Sequence, residues 1–286
     1  MQSSLEDTKF ILKKYNISAS KRLGQNFLID DVVINNIIEA AKIKESDLVI
    51  EIGPGLGTLT SKLLQHAGKV IAIELDDRMI KILNDRFELY NNFILLHEDV
   101  LKVNLNKLIQ DNKGDLSDVK IVANLPYYIT TPIIMKLLED KLDISSITVM
   151  VQKEVADRIV ATPGEKLSGA ITYSVNYYAN AEKVTFVDKK CFIPSPEVDS
   201  TVIKLEIRKE PVVEVKNEEM FFKLIKASFM QRRKTLMNGL INSGIITDKE
   251  EIKKIFNDIG IDEGVRGEKL SIEEFAKLSN LIYKTI

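Results

Sequence analysis

Four short stretches of this 286-residue chain hold residue types that can do chemistry, and each directly follows a run of aliphatic residues. The first is Glu51-Ile52-Gly53-Pro54-Gly55-Leu56-Gly57-Thr58, where glycines let a turn tighten and let the backbone approach a ligand. A dinucleotide fingerprint reads G-x-G-x-x-G. Here the spacing is G-x-G-x-G, and Thr58 stands at the third dinucleotide glycine position. Glu74, in Ile73-Glu74-Leu75-Asp76, offers a carboxylate able to accept both hydrogen bonds of a ribose diol. Asp99, in Glu98-Asp99-Val100, can accept from the amino group of an adenine, although alone it reads equally as a helix N-cap. A glycine turn by itself is as easily a tight structural connection. Three successive strand ends aiming polar groups at one crevice favour a ligand, because open α/β sheets bind there.

Asn124-Leu125-Pro126-Tyr127 is the most informative stretch. An adenine N6 amine is a poor nucleophile because its lone pair is delocalised into the ring. Two acceptors for its N–H groups would draw the nitrogen toward tetrahedral geometry and free that pair. Asn124 supplies a side-chain carbonyl and Leu125 a backbone carbonyl. Pro126 forces Leu125 into an extended conformation and brings no competing N–H. Tyr127 offers a flat face on which an extruded base can stack. The ordinary alternative is a strand-to-loop turn with a buried tyrosine. The G-x-G-x-G spacing is the variant carried by methyltransferases that use S-adenosylmethionine and bind no pyrophosphate, which places a methyl donor beside this amine motif.

The elements that must position these groups are legible as periodic patterns. Strands are predicted over 48–52, 69–73, 93–96, 120–123, 147–151 and 200–207; the near-continuous apolar runs suit parallel strands buried on both faces. The last run alternates more clearly and is expected near a sheet edge. Helices are predicted between the strands, over 58–66, 78–89 and 132–139. The pattern is a doubly wound, mostly parallel α/β sheet of the Rossmann-like methyltransferase kind. Arg208-Lys209-Glu210-Pro211 reads as a linker. After it come helices over 218–240, 249–259 and 271–286, the last opened by a Ser271/Glu274 capping box. The expected division is a methyltransferase domain over 1–208 and a small α-helical domain over 209–286.

Composition sets the outer bounds. Apolar residues at 45% and charged residues at 29% exclude disorder and coiled coil. One cysteine, Cys191, permits no internal disulfide, and two histidines, His66 and His97, do not build a multi-histidine metal centre. Cys191 and His97 read as packing residues and His66 as a helix-terminal cation. No apolar run reaches the roughly 18–20 residues of a bilayer span, and the N-terminus lacks signal-peptide order. A cytoplasmic monomer without a metal is expected. Forty basic against 42 acidic residues decide nothing about nucleic acid, since local patches matter more than the total.

The motifs together resemble the bacterial small-subunit (16S) ribosomal RNA adenine N6-dimethyltransferases, the KsgA/RsmA family. The likeness runs from Lys21 to about Leu240. It is carried by Lys21-Arg22-Leu23-Gly24-Gln25-Asn26-Phe27-Leu28, the glycine loop, Asn124 to Pro132, Val151 to Arg158, Phe192 to Ser200 and Phe229 to Leu236. The resemblance implies S-adenosylmethionine as methyl donor, bound by Gln25, Asn26, Leu28, Gly53, Gly55, Glu74, Asp99 and Asn124. It implies Asn124, Leu125, Pro126 and Tyr127 at the transfer point, with Phe192 closing the target adenine against Tyr127. The implied substrate is two adjacent adenosines in the 3′-terminal hairpin of 16S RNA within the 30S subunit. Lys21, Arg22, Arg232, Arg233 and Lys234 are candidate phosphate contacts, the last three expected on a helix. Lys13-Lys14 and Lys253-Lys254 read as solvated helix faces.

Four rivals remain at this point. Relatives that act on 23S RNA and confer macrolide resistance share the glycine loop and N-x-P-Y, but the Val151–Ala156 and Val198–Ser200 segments resemble the small-subunit branch. A nicotinamide dehydrogenase is opposed by the glycine spacing, and a DNA adenine methyltransferase by the remaining motifs. An assembly factor that methylates only incidentally is separable by testing a catalytically dead variant for assembly.

Overall fold

The computed structural model describes residues 3–20, 22–231 and 233–285. Nine strands form in chain order: β1 (Phe27–Leu28), β2 (Leu48–Ile52), β3 (Lys69–Glu74), β4 (Phe93–His97), β5 (Val119–Asn124), β6 (Ser146–Gln152), β7 (Ala179–Val187), β8 (Phe192–Ile193) and β9 (Ser200–Ile207). Seven of them make one sheet in the order β4-β3-β2-β5-β6-β9-β7, and β1 pairs antiparallel with β8 in a separate ribbon. Strands β2 to β6 run parallel, while β9 runs antiparallel against β6. The chain winds outward from β2 through β3 to β4, then returns to lay β5 on the other side of β2. The crevice above β2 and β5 is therefore a topological switch point, where open sheets bind ligands.

The helices, in chain order, are α1 (Ser4–Lys14), α2 (Asp31–Ala41), α3 (Thr58–His66), α4 (Asp77–Phe87), α5 (Leu105–Lys113), α6 (Thr130–Glu139), α7 (Lys153–Ile159), α8 (Ala170–Tyr178), α9 (Glu218–Met230), α10 (Leu236–Asn242), α11 (Lys249–Ile259) and α12 (Ile272–Thr285), and α1 to α6 alternate with strands β1 to β6. Aliphatic strands are buried on both faces because helices cover both; Leu48, Val49, Ile50, Val70, Ile71, Ile121 and Val122 are fully buried. The sheet's opposite end carries a buried ion pair, Lys120 Nζ to Asp47 Oδ2 at 2.6 Å, with the ammonium also donating to the Lys42 carbonyl.

The chain separates into two compact units, 1–156 with 181–207, and 157–180 with 208–286. The second crossing lies beside the expected boundary at 208. The first does not, because residues 157–180 group with the C-terminal helices. The reason is packing: Tyr173 and Tyr177 of α8 are buried in one cluster with Phe221, Phe256 and Phe275, and Tyr173 donates from its hydroxyl to the Leu270 carbonyl at 2.6 Å.

Ser200–Ile207 lies near a sheet edge as expected, between β6 and β7, with Lys204 4% exposed and its ammonium turned to Glu206. The edge is β7, whose Ala-Asn-Ala-Glu-Lys-Val-Thr-Phe-Val shows no strong strand pattern. The predicted helix over 218–240 is two helices, α9 and α10, separated at Gln231–Thr235; Thr235 starts α10 by accepting from Asn238 N. Arg233 and Lys234 thus lie in an exposed connection and not on a helix, and Arg232 lies outside the described residues. The capping box forms as expected, with Ser271 N donating to Glu274 and Glu274 N to Ser271 Oγ.

The glycine loop is held by close packing at its last residue. Gly57 has φ +82°, and a Cβ there would meet Phe87 Cε2 at 2.5 Å. Backbone strain and overpacking add, so Gly57→Ala should lose about 2–4 kcal/mol of folding stability, read as a lowered urea midpoint with the slope unchanged.

Candidate active site

Parallel register decides where the four chemical stretches meet. Ile52 lies opposite Ile73 and Ala123, Glu74 opposite His97, and Asn124 opposite Met150. The residues immediately beyond, Gly53 after β2, Leu75 after β3, Glu98-Asp99 after β4 and Leu125 after β5, therefore leave the sheet at one level. With strands about 4.8 Å apart, four neighbouring ends span ~14 Å. They floor one cavity of about 130 Å³, lined among others by Leu23–Leu28, Glu51–Leu56, Glu74, Leu75, Glu98–Val100 and Asn124–Ile129. Every cofactor-site residue expected from the sequence lines it: Gln25, Asn26, Leu28, Gly53, Gly55, Glu74, Asp99 and Asn124.

Glu74 is buried and already engaged. Its Oε1 accepts from Leu75 N and Asp76 N at 2.8 and 2.9 Å, and its Oε2 from Gly55 N at 3.1 Å. Burial raises its carboxyl above the ordinary range, and the three N–H donors oppose that rise. Three of roughly four acceptor sites are taken. One acceptor position on Oε2 is not taken by these bonds. Asp99 is half-buried and accepts from Leu101 N at 3.0 Å through Oδ1; the bond closes a turn and is not the helix N-cap of its plainer reading, since α5 starts at Leu105 behind Asn104. Its other oxygen is not tied by that bond. Leu75 and Val100, one residue past each acid, add apolar surface suited to the faces of a flat heterocycle. Neither belongs to a recognised motif, although a position directly after a strand-end acid is a signal for such a wall.

Asn124 Nδ2 donates to the Asn26 carbonyl at 3.2 Å, and its amide oxygen accepts no bond from a described group. The Leu125 carbonyl accepts no bond from a described group, while Leu125 N donates to Met150 O. Two unengaged acceptors thus stand together, as an amine with two N–H groups requires. Pro126 (φ −58°, ψ 131°) starts a 3-10 turn over Tyr127–Ile129. The Tyr127 hydroxyl is hydrogen-bonded to Ser200 Oγ at 2.7 Å; burial raises its pKa, against the Ser200 bond, with the Asp199 charge adding to the rise. Phe192 is placed elsewhere. It pairs with Leu28, is 3% exposed and packs in the core, so its ring presents no face to the cavity in this conformation. His97 is not a core residue either: it is half-exposed, 3.3 Å from Asp77. His66 ends α3 as expected, with Nδ1 2.8 Å from the Lys62 carbonyl. Cys191 is partly buried against the core, 3.5 Å from Asp30, and burial pushes its thiol up to about 11, which suits packing better than nucleophilic attack. Arg22 is exposed beside the cavity segment, and Lys21 lies outside the described residues.

Residues 16–284 match the family model described as ribosomal RNA adenine dimethylase. The chain belongs to that family. Among curated relatives, the ribosomal RNA small subunit methyltransferase A of Bacillus pumilus is 50% identical over 283 residues, 98% of this chain and 96% of that protein. The protein of the same name from Clostridium acetobutylicum is 50% identical, covering 97% of this chain and 99% of its own. Among solved structures, a dimethyladenosine transferase from Plasmodium falciparum superposes with TM-score 0.74 at 30% identity, over 88% of this chain and 95% of that one. The 23S rRNA methyltransferase ErmE gives TM-score 0.67 at 25% identity, over 90% and 100%. This dimethylase is therefore an S-adenosylmethionine-dependent enzyme acting on ribosomal RNA adenine. The donor set fits that cofactor: carboxylates at two strand ends for a nucleoside, apolar walls, and a glycine turn with Thr58 where a pyrophosphate site has its third glycine.

Glu51 lies beneath the cavity, 1% exposed, accepting from Thr60 Oγ1 at 2.6 Å. Burial lifts its pKa from 4.5 to about 8, against the Thr60 bond, with the Glu74 charge adding to the rise. Because the folded pKa exceeds the unfolded one, this group's stabilisation is full below pH 4.5 and lost as pH rises through about 8. Glu51→Gln should remove that part of the slope, measured by urea unfolding at pH 5, 6.5 and 8.

Proposed function

We propose that this protein transfers methyl groups to N6 of two adjacent adenosines in the 3′-terminal hairpin of 16S ribosomal RNA, giving dimethyladenosines during small-subunit biogenesis. It does so as a cytoplasmic monomer acting on RNA within the 30S subunit. The observation that carries the chemistry is the pair of open acceptors, Asn124 Oδ1 and the Leu125 carbonyl, at the strand end beside the glycine loop. The small-subunit assignment, over a 23S substrate, is supported by relatives of that name at 50% identity, against 25% for ErmE.

S-adenosylmethionine, when bound, supplies an electrophilic methyl group. Glu74 and Asp99 would hold its nucleoside part, and Asn26 and Leu28, with Gly53 of the loop, would border its methionine end. Asn124 and Leu125 accept the two N–H groups of the target amine, which localises the nitrogen lone pair and fixes its direction. Tyr127 gives the extruded base a surface to stack on, and its bond to Ser200 holds the ring in place. No strong base is required, because an alkylated amine is acidic enough to release its proton. Alignment and amine polarisation carry the acceleration. Phe192 joins the base only if its ring leaves the core packing. Arg22, Arg233 and Lys234 meet phosphates, an interaction that weakens as salt rises.

Asn124→Ala should lower methyl transfer by about 10²-fold or more while S-adenosylhomocysteine binding, followed by calorimetry, survives. Near-normal turnover would remove Asn124 from its role. Mass spectrometry of the 16S 3′ fragment from cells with and without the protein tests the substrate: the two dimethyladenosines should disappear without it.

A further inference from the structure

One charged cluster beside the cavity is absent from the catalytic account. Arg78, in the first turn of α4, donates from Nε to both Asp76 oxygens at 2.9 and 3.2 Å. Its Nη2 reaches the Gln25 side-chain oxygen at 3.3 Å and its Nη1 the Ser18 carbonyl at 3.2 Å. Gln25 donates from Nε2 to Asp76 Oδ2 at 2.8 Å and accepts from Ser20 N at 2.8 Å. Three links thus tie the start of α4 to the segment running from Ser18 into β1. Asp76 is 7% exposed; burial pushes its carboxyl up, but the bonds from Arg78 and Gln25 outweigh this and hold it low. The Arg78 side chain is not needed to cap α4, because its backbone N–H already satisfies Asp76 Oδ1.

The same segment reaches the reacting groups. Asn26, next to Gln25, supplies the carbonyl that holds Asn124 Nδ2. Asn26 Nδ2 is bound in turn to the Gly24 carbonyl at 3.1 Å. Gly24 adopts φ +59°, and a Cβ there would lie 3.3 Å from Tyr128, so the segment fits closely over the Asn124–Tyr128 turn. An amide can flip, and only one orientation offers its oxygen to an amine. The orientation of Asn124 depends on where Asn26 is held, and Asn26 is held through its neighbour.

The geometry points to Arg78 as a positioning residue for methyl transfer: by clamping Asp76 and Gln25 it holds the 18–28 segment over the crevice and, through the Asn26 carbonyl, keeps the Asn124 oxygen aimed at the acceptor amine. This rests on the reading of the crevice given above. Glu74 completes the link to the cofactor, since it accepts from the Asp76 backbone N–H. A shift of Asp76 is thereby felt at the ribose position, and a shift of the segment is felt at the amine position.

Arg78→Met keeps the length and apolar stem and removes all three donors; Arg78→Lys keeps the charge without the fork. In the full chain, Arg78→Met should weaken S-adenosylhomocysteine binding about five- to tenfold. The single-turnover methyl-transfer rate at saturating S-adenosylmethionine should also fall severalfold, with Arg78→Lys between the variant and the unaltered protein. Gln25→Ala should add little on top of Arg78→Met, because both act through one clamp. A contact that is merely structural would move the melting temperature and leave the saturated rate alone. Unchanged affinity and saturated rate in Arg78→Met, or fully additive effects with Gln25→Ala, would discard the clamp. Failure of the unaltered protein to bind S-adenosylhomocysteine would instead discard the crevice reading itself. If Arg78→Met does not fold, the Arg78→Lys rate at saturation decides alone.

Discussion

The Glu74 carboxylate, buried at the end of β3, is the interaction on which the site depends. It accepts from the glycine loop at Gly55 and from the following turn at Leu75 and Asp76. An acid in that position carries a desolvation cost, and the N–H donors offset it. Any residue without a second oxygen would release one side of the loop. The glycines make this possible, because Gly53 and Gly55 at φ +66° and +57° turn the chain tightly enough to bring an N–H to the acid. The loop is therefore shaped before a ligand arrives, and ordering it costs the ligand little.

A second constraint is the opposition of strand ends across the switch point. Glu74 and Asp99, proposed for the nucleoside, stand at the ends of β3 and β4, and Asn124 and Leu125, proposed for the amine, at the end of β5, with the glycine loop of β2 between them. A donor and an acceptor bound on those two sides meet over β2. In that proposal parallel register sets the meeting place, and rate comes from alignment more than from acid–base chemistry.

Much of this was legible in the sequence, for identifiable reasons. Strands such as Leu48–Ile52 and Ile147–Val151 are continuous aliphatic runs, and the residues after them inherit their position from topology. That is why Glu74, Asp99 and Asn124 could be assigned to one crevice. Ser200–Ile207 was legible as a strand near the edge from its alternation, although Lys204, which resembles a solvent-facing residue, reaches Glu206 from a buried stem. Residues 157–180 were assigned to the wrong unit because membership is decided by where Tyr173 and Tyr177 bury, a tertiary matter. The basic run after α9 looked helical because its apolar spacing continues through Phe229 and Leu236. The engagement of Glu74 by three amides, the burial of Phe192 and the ties among Gln25, Asp76 and Arg78 have no sequence signature; folding alone brings residues 25 and 78 together.

The ribbon of β1 with β8 joins Phe27 to Ile193 and Leu28 to Phe192, and β9, made later still, lies between β6 and β7. During synthesis from the N-terminus, β7 emerges before the neighbour it needs, and the wall of the crevice built on Leu28 waits for residues some 165 positions downstream. Such long-range pairings form slowly. A growing chain therefore cannot complete the β1–β8 ribbon beside the crevice until Phe192 and Ile193 have left the ribosome's exit tunnel.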